Sequence, residues 1–235
     1  MKTVLITGAS QGIGKQTAKL FAKSGWDLLL VSRDKGKLIQ LKDELLGSNI
    51  SVNTLSLDFL NKDKINKQIS KFVLQCGIPS VLINNAGVAW TGALLEMPLE
   101  KWDSMLQINL TSVFQICSSV VPFMRESGGL VINISSHAAR NAFPQWGAYC
   151  VTKAALSSFT KCLEEEERRH SIRATTITLG AVNTPLWDSS DVNSDFDRNS
   201  MLSSSEVAKM IFDISQTPAN QLVEDITLMP SGGAF

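Results

Sequence analysis

Residues 7–15 of the chain, TGASQGIGK, follow a short apolar run and precede a stretch with helical periodicity. Gly8, Gly12 and Gly14 give this turn the spacing GxxxGxG. Glycines permit a tight turn and a close approach of the backbone to a phosphate, and a helix N-terminus offers unpaired N–H groups with a partial positive charge. No GK[ST] follows, which disfavours a P-loop nucleotide hydrolase. The turn therefore predicts an anion site at the start of a βα unit.

Apolar, β-branched runs alternate with helix-periodic segments along most of the chain. The apolar runs predict strands at residues 3–7, 27–32, 51–58, 80–87, 128–136, 173–180 and 225–229. The periodic segments predict helices at residues 13–25, 35–46, 61–75, 100–124, 147–169 and 205–215. This alternation is typical of parallel βαβ units. We therefore expect a doubly wound, Rossmann-like α/β fold with a parallel seven-stranded sheet and helices on both faces.

Nothing in the pattern divides residues 1–235, so we expect a single domain in which residues 185–204, polar and without a clear period, form a substrate loop or lid. The 22 basic and 22 acidic residues cancel, which gives no indication of a nucleic-acid or membrane partner. The apolar run near the N-terminus is too short for a signal peptide, and we expect no stretch with the ~20 apolar residues of a membrane span. Four scattered cysteines without a CxxC pair indicate reduced thiols rather than a metal site, and a cytoplasmic protein is expected.

Polar motifs follow the later strands in a fixed order. NNAG at residues 84–87 ends the fourth predicted strand, Ser136 ends the fifth, and YCVTK places Tyr149 and Lys153 thirteen and seventeen residues after Ser136. A GxVxT motif follows the sixth strand at residues 180–184. Together with TGxxxGxG, this order resembles the short-chain dehydrogenase/reductase family across essentially the whole chain. The resemblance implies an oxidoreductase that uses a nicotinamide dinucleotide.

The spacing of Tyr149 and Lys153 places them one turn apart on one helical face. A free tyrosine has a pKa of ~10, and a nearby cation favours its phenolate, which makes tyrosine a more useful acid or base near neutral pH. The resemblance implies that Tyr149 exchanges a proton with the substrate oxygen and that Lys153 tunes this pKa and binds the nicotinamide ribose. It also implies that Ser136 holds the substrate oxygen, and that Asn109 positions a water linking Lys153 to solvent.

The end of the second strand, VSRD, bears on the choice of dinucleotide. An acidic residue at this position binds the ribose 2′-hydroxyl of NAD, but here Ser32 occupies it and Arg33 follows. A guanidinium suits a 2′-phosphate, so NADP(H) is favoured over NAD(H). Asp34 lies two residues too late and is predicted to cap the next helix. Gln11 stands where many NADP-using relatives carry a basic residue, and a surface role for Arg33 stays open.

The resemblance extends the predicted cofactor site to the other motif positions. Asp58 would bind the adenine amino group, with Leu57 or Phe59 packed nearby, and Leu179 replaces a proline that the family usually has before Gly180. The complete set of predicted cofactor-binding residues is Gly8, Ser10, Gln11, Gly12, Ile13, Gly14, Ser32, Arg33, Asp58, Asn85, Ala86, Gly87, Tyr149, Lys153, Gly180, Val182 and Thr184.

The predicted substrate pocket is apolar and aromatic. Its walls are expected to include Trp90, His137, Trp146 and Trp187, with Phe143 and Leu179 nearby. Such walls suit a carbonyl compound with hydrophobic bulk, and no arginine clamp for a carboxylate is apparent. A 3-oxoacyl-carrier-protein substrate stays open, as does general ketone or aldehyde reduction.

Two other interpretations belong to different classes. A catalytically idle dinucleotide-binding regulator would have no need of the intact Asn109, Ser136, Tyr149 and Lys153 set. A sugar-nucleotide epimerase would share the tyrosine and lysine but usually needs an additional C-terminal substrate domain. The apolar surface predicted for helices 100–124 and 147–169 indicates a homodimer or homotetramer, because helices at these positions pair between subunits in this family.

Overall fold

The computed structural model describes residues 2–47 and 49–233. Its strands are β1 Thr3–Thr7, β2 Asp27–Ser32, β3 Val52–Ser56, β4 Val81–Asn84, β5 Gly129–Ser136, β6 Ile172–Leu179, β7 Val182–Asn183, β8 Leu202–Ser203 and β9 Asp225–Leu228. Its α-helices are α1 Gly12–Lys23, α2 Lys35–Glu44, α3 Lys62–Cys76, α4 Leu99–Leu106, α5 Ser112–Met124, α6 Gly147–Glu167 and α7 Ser204–Ser215.

Seven strands form one parallel sheet in the order β3-β2-β1-β4-β5-β6-β9, which confirms the predicted fold class. The winding reverses between β1 and β4, because β2 and β3 lie on one side of β1 and the later strands lie on the other. In sheets of this kind, ligands bind beyond the carboxyl ends of the strands at such a reversal.

The sheet separates two apolar layers. On one face, Val4 and Ile6 of β1 share a buried cluster with Phe21 of α1 and Ile211 of α7. On the other face, Leu5 belongs to a second cluster that α3, α5 and α6 complete. Side chains alternate between the two faces along a strand, so β1 contributes to both layers. This burial fixes the strands rigidly, and the loops at their carboxyl ends inherit that rigidity.

The predicted helix 100–124 is interrupted. A π-helical turn, Gln107–Thr111, separates α4 from α5, and α5 continues two residues beyond Pro122. By length and composition, the segment Leu99–Met124 is also apolar enough to cross a membrane, contrary to the expectation from the sequence. In this fold its buried residues, among them Ile116 and Val120, pack in the same cluster as α3.

The boundaries of three other segments differ from the predictions. β3 ends at Ser56 and β4 at Asn84, so Asp58 and residues 85–87 lie in the loops beyond these strands. Residues 185–204 contain local structure that their composition does not indicate. Two 3₁₀ turns, Pro185–Asp188 and Arg198–Ser200, precede β8, which pairs with β7 and brings both ends of this lid together.

Candidate active site

A cleft of about 380 Å³ follows the carboxyl edge of the sheet. Its lining includes Asp58 beyond β3, Arg33 beyond β2, Gly8 beyond β1, Ser136 at the end of β5 and Gly180 beyond β6. The span from β3 to β6 covers five strand spacings of ~4.8 Å, or roughly 24 Å. We call the part near β2 and β3 the adenosine end, and the part near β5, β6 and the 185–204 lid the substrate end.

The glycine turn lies at the centre of the cleft. Gly8 has a φ of +62°, and a Cβ atom on Gly14 would lie 2.3 Å from the carbonyl oxygen of Gly8. The Asn85 side chain braces the turn, since its Nδ2 atom donates to the carbonyl oxygens of Thr7 at 3.0 Å and Gly8 at 3.3 Å. No side chain caps α1, and its first turn contains no acidic residue. The exposed N–H groups of this helix end therefore fit a dinucleotide pyrophosphate.

The adenosine end carries small hydroxyls and two cations. The Oγ atoms of Ser10 and Ser32 lie 2.8 Å apart. Within residues 2–47 and 49–233, the Arg33 guanidinium has no ion pair, although it lines the cleft. Lys37, which the sequence analysis missed, also lines the cleft, and its Nζ atom donates to Gln11 Oε1 at 2.8 Å.

The helical period could have revealed Lys37. Asp34 caps α2 as predicted, because its Oδ1 atom accepts a hydrogen bond from the Lys37 backbone N–H at 2.9 Å. A residue in the first turn of a helix that starts beside the cleft has its side chain directed back toward the N-terminus. No sequence motif marks Lys37. Its place in the first turn of α2 is the feature that could have identified it as a cleft residue.

The predicted catalytic side chains meet where β5 faces α6. Ser136, Tyr149 and Lys153 all line the cleft. The Lys153 Nζ atom lies 5.6 Å from the centroid of the Tyr149 ring, as expected for residues one helical turn apart. Lys153 is held in place by a hydrogen bond of 2.8 Å that its Nζ atom donates to the carbonyl oxygen of Ile134. The end of β5 and the first two turns of α6 thus position one proton donor and one buried cation.

Asn109 lies in the π-helical turn behind the cleft and does not line it. Its Oδ1 atom accepts from the Val88 N–H at 2.9 Å, and its Nδ2 atom donates to Val88 O at 2.9 Å and Thr152 Oγ1 at 3.1 Å. A Cβ atom on Gly87 would lie 3.4 Å from Asn109 Oδ1 and 3.7 Å from Lys153 Nζ. Glycine at position 87 therefore leaves room between the asparagine and the lysine.

The substrate end is lined by aromatic rings. Ring centroids lie 5.6 Å apart for Tyr149 and Trp146, 5.5 Å for Trp146 and Trp187, and 5.5 Å for Trp187 and Phe196, each pair in an edge-to-face arrangement. His137 and Phe143 also line this end. Phe196 was missed because no periodicity in the 185–204 lid indicated which of its residues would face the cleft.

Trp90 was predicted wrongly as a wall of the substrate pocket. It does not line the cleft. Its six-membered ring lies over Gly92, where a Cβ atom would approach the ring to 2.2 Å. Gly92 has a φ of +154°, and its N–H donates to the Gln145 carbonyl oxygen at 2.9 Å, so the loop after β4 turns back on itself.

The cleft brings together most of the other predicted residues. Gly14 is the one predicted cofactor residue that does not line it, because it packs against Gly8. The predicted cofactor and substrate residues that do line the cleft are Gly8, Ser10, Gln11, Gly12, Ile13, Ser32, Arg33, Asp58, Asn85, Ala86, Gly87, Tyr149, Lys153, Gly180, Val182, Thr184, His137, Trp146 and Trp187.

Comparisons with known proteins agree with this arrangement. The sequence profile described as short chain dehydrogenase matches residues 2–194. The chain belongs to the short chain dehydrogenase family. It is 33% identical over 188 residues to a 3-oxoacyl-[acyl-carrier-protein] reductase of Thermotoga maritima, with 80% of this chain and 76% of the relative covered. An uncharacterized oxidoreductase of Staphylococcus saprophyticus is 31% identical over 238 residues, with 98% and 96% covered.

A solved structure shows the same fold at high similarity. The alcohol dehydrogenase from the archaeon Thermococcus sibiricus, complexed with 5-hydroxy-NADP, superposes with a TM-score of 0.90 at 25% identity. The superposition covers 98% of this chain and 97% of the archaeal one. The seven-stranded sheet of this short chain dehydrogenase is therefore the shared family scaffold.

Burial controls the ionisation of the two central residues of this short chain dehydrogenase. It raises the pKa of Tyr149 to about 12, and a hydrogen bond with Ser136 offsets only part of that rise. It lowers the pKa of Lys153 to about 8, because the buried ammonium loses its hydration. Desolvation is the largest cause of the raised Tyr149 pKa, and the Lys153 ammonium, which was expected to tune this pKa, donates to the Ile134 carbonyl oxygen.

Proposed function

We propose that this protein is an NADP(H)-dependent oxidoreductase that interconverts a carbonyl and an alcohol and works in the reductive direction. One observation carries the proposal. Ser136, Tyr149 and Lys153 line the same cleft as an uncapped helix N-terminus behind a glycine turn. A dinucleotide whose pyrophosphate binds at that turn has its two halves directed toward opposite ends of the cleft.

The cofactor, when bound, supplies a hydride to the carbonyl carbon, so that a C–H bond forms as the C=O π bond breaks. Tyr149 donates its phenolic proton to the carbonyl oxygen, which completes the alcohol. Ser136 Oγ–H stabilises the negative charge that develops on that oxygen. Tyr149 is protonated at neutral pH, as a tyrosine of ordinary pKa also is, so it holds the proton that the reductive direction requires.

The proton that Tyr149 gives up returns by way of Lys153. Lys153 also binds the nicotinamide ribose in this proposal. Asn109 holds Val88 on one side and faces the space above Gly87 on the other, where a water molecule would connect Lys153 to solvent. Val182 and Thr184 would contact the carboxamide of the nicotinamide.

The preference for NADP(H) rests on charge at the adenosine end. Arg33 and Lys37 line the cleft there, and Ser10 and Ser32 add neutral donors. In place of an acidic residue at the end of β2, the chain has Ser32, so no carboxylate at that position repels a 2′-phosphate. The alcohol dehydrogenase of Thermococcus sibiricus is described with a bound NADP derivative, which supports the same choice.

The experiment is NADPH oxidation with a panel of ketones and aldehydes by the protein and by Tyr149→Phe. We expect turnover by the protein and a loss of about 10²–10⁴-fold in kcat in the variant, the usual contribution of a positioned proton donor. NADPH affinity, measured by fluorescence titration, should stay within about twofold. Full activity in Tyr149→Phe would refute the proposed mechanism.

NADPH binding without turnover of any carbonyl would favour the alternative, a catalytically idle dinucleotide-binding regulator. A matched titration with NADH separates that outcome from a wrong choice of cofactor.

We also propose that the protein forms a homodimer or homotetramer through α5 and α6. Phe114 on α5 and Val151 on α6 are 57% and 43% exposed, which leaves apolar surface on both helices. Light scattering that gives a monomer mass at micromolar concentration would refute this assembly.

A further inference from the structure

The basic side chains that line the cleft are unevenly distributed. Within the described part of the chain, the lysines and arginines in the lining are Arg33 and Lys37 at the adenosine end and Lys153 beside Tyr149. His137 is the basic residue that the substrate end contributes. An anionic substrate would therefore find no lysine or arginine in the wall around it beyond Lys153.

The basic side chains bordering the substrate end are each engaged by an acidic partner. Arg140 pairs with Asp225 and donates to Thr227 Oγ1. Arg198 pairs with Asp188, and Lys101 pairs with Asp191. None of these three side chains lines the cleft, and pairing with a carboxylate reduces the attraction of each for an anionic substrate.

The lid adds negative charge to the same region. Residues 185–204 contain Asp188, Asp191, Asp195 and Asp197 against one cation, Arg198, so the lid stays negative although Asp188 and Asp191 form ion pairs. Asp197 caps the turn Arg198–Ser200, because its side chain accepts a hydrogen bond from the Asn199 backbone N–H. A surface of this sign disfavours the approach of acidic molecules, including an acidic carrier protein.

The walls themselves are flat and apolar. Trp187 donates its Nε1–H to the Val182 carbonyl oxygen at 2.8 Å, so its polar atom is satisfied and its ring presents apolar surface. Trp146 lies between the Tyr149 ring and the Trp187 ring. A ring-bearing substrate packed along this series would have its carbonyl group near the Tyr149 hydroxyl.

On these grounds we infer that the substrate is an uncharged carbonyl compound in which the carbonyl belongs to, or is attached to, an aromatic or alicyclic ring. The inference rests on the proposed oxidoreductase function and narrows its substrate class. It excludes carboxylated ketones and carrier-bound 3-oxoacyl thioesters as the preferred substrates. The site would discriminate against charged substrates because a charged group loses its hydration in an aromatic site and finds no partner there.

The test compares NADPH oxidation with 1-tetralone, a tetralone carboxylate, acetone and acetoacetyl-coenzyme A. We expect kcat/KM to be at least about tenfold higher for 1-tetralone than for either anionic compound, the effect of about 1.4 kcal/mol of unpaired desolvation. Trp187→Ala should lower kcat/KM for 1-tetralone about tenfold and for acetone by less than about twofold, whereas Trp187→Phe should retain most of the activity. Trp102→Ala serves as the matched control, because Trp102 on α4 does not line the cleft.

The outcomes distinguish a failure of the inferred substrate class from a failure of the proposed oxidoreductase function. Faster turnover of the carboxylate or of acetoacetyl-coenzyme A would overturn the inferred substrate class and leave the oxidoreductase function standing. An equal loss for 1-tetralone and acetone in Trp187→Ala would overturn the aromatic wall as the source of selectivity. Bound NADPH that no compound oxidises would overturn both proposals.

Discussion

The two ends of the cleft are built from opposite chemistry. The adenosine end carries small hydroxyls, two cations and the carboxylates of Asp34 and Asp58, with Arg33 free of any ion pair in the described ranges. At the substrate end, aromatic rings line the cleft, and the neighbouring arginines are bound to aspartates. An unpaired cation, Arg33, indicates that an anion binds there, and cations already paired around apolar walls indicate an uncharged ligand. Arg33 therefore indicates an anionic ligand at the adenosine end, whereas the paired Arg140 and Arg198 indicate an uncharged ligand at the substrate end.

The contrast also separates two ways of building a site. The adenosine end is formed by residues within a few positions of the carboxyl ends of β1 and β2, which the buried sheet holds rigidly. The substrate end is assembled from the segment after β5, the start of α6 and the 185–204 lid. Its geometry depends on hydrogen bonds within the lid rather than on the sheet.

Reversing the charge at Arg33 should change the adenosine end most. We expect Arg33→Asp to lower the preference for NADPH over NADH about 100-fold, since it removes a charge-assisted hydrogen bond and adds repulsion to a 2′-phosphate. The measurement is kcat/KM with each cofactor at saturating ketone. Arg169→Asp makes the same change in net charge outside the cleft and should leave the ratio unchanged. An unchanged ratio in Arg33→Asp would refute the NADP(H) assignment.

Lys37→Ala gives a smaller effect in the same assay, about threefold, because Lys37 is already engaged by Gln11. A larger loss in Lys37→Ala than in Arg33→Asp would assign the 2′-phosphate to the lysine.

The adenosine end could be predicted from the sequence because its signals are local. The glycine turn and Ser32 each lie at a junction between a strand and a helix. The change from an apolar run to a helix-periodic segment locates those junctions in the sequence. Lys37 was missed because its role depends on the orientation of a side chain in the first turn of α2, which no motif encodes. The seven strands were predictable for the same reason, since continuous burial leaves a clear apolar run.

The substrate end could be predicted only in part. Trp146 and Trp187 lie near recognisable motifs and were found, whereas Trp90 and Phe196 depend on how two loops fold. The Trp90 ring packs over Gly92 and does not line the cleft, whereas β7 and β8 pair at the two ends of the lid and Phe196 contacts Trp187. The π-helical turn around Asn109 could not be predicted from the sequence either, because one i→i+5 turn leaves the spacing of apolar residues nearly unchanged.

Lys153 lies between the two ends and should set the alkaline limit of activity. Its pKa of about 8 means that the ammonium is charged below pH 8 and neutral above it. If the charged form is required, kcat/KM for NADPH in the reductive direction falls about tenfold per pH unit above about pH 8. The pKa of Tyr149, about 12, is too high to produce this decline.

Lys153→Arg distinguishes the lysine from other groups. A guanidinium stays charged throughout this range, so the variant, though less active overall, should show a flat kcat/KM profile from pH 7 to 10. An alkaline decline that persists in Lys153→Arg would assign it to another residue.

The smallest predicted effect concerns the lid. Arg198 holds it together, since its guanidinium donates to Asn183 Oδ1 at 2.7 Å, to the Thr184 carbonyl oxygen at 3.0 Å and to Asp188 Oδ1 at 2.9 Å. Arg198→Ala releases these bonds at a partly exposed site, so we expect a rise of about three- to tenfold in KM for the ketone with kcat changed less than about twofold. NADPH affinity should change less than KM for the ketone, because Arg198 reaches the proposed cofactor site only through the Thr184 carbonyl oxygen, and the glycine turn and Arg33 lie outside the lid. Lys209→Ala, which removes a surface ion pair with Asp213 on α7, is the control and should leave KM unchanged. A fall in kcat without a rise in KM would mean that Arg198 supports the residues around Tyr149, and the aromatic end would then be as rigid as the adenosine end.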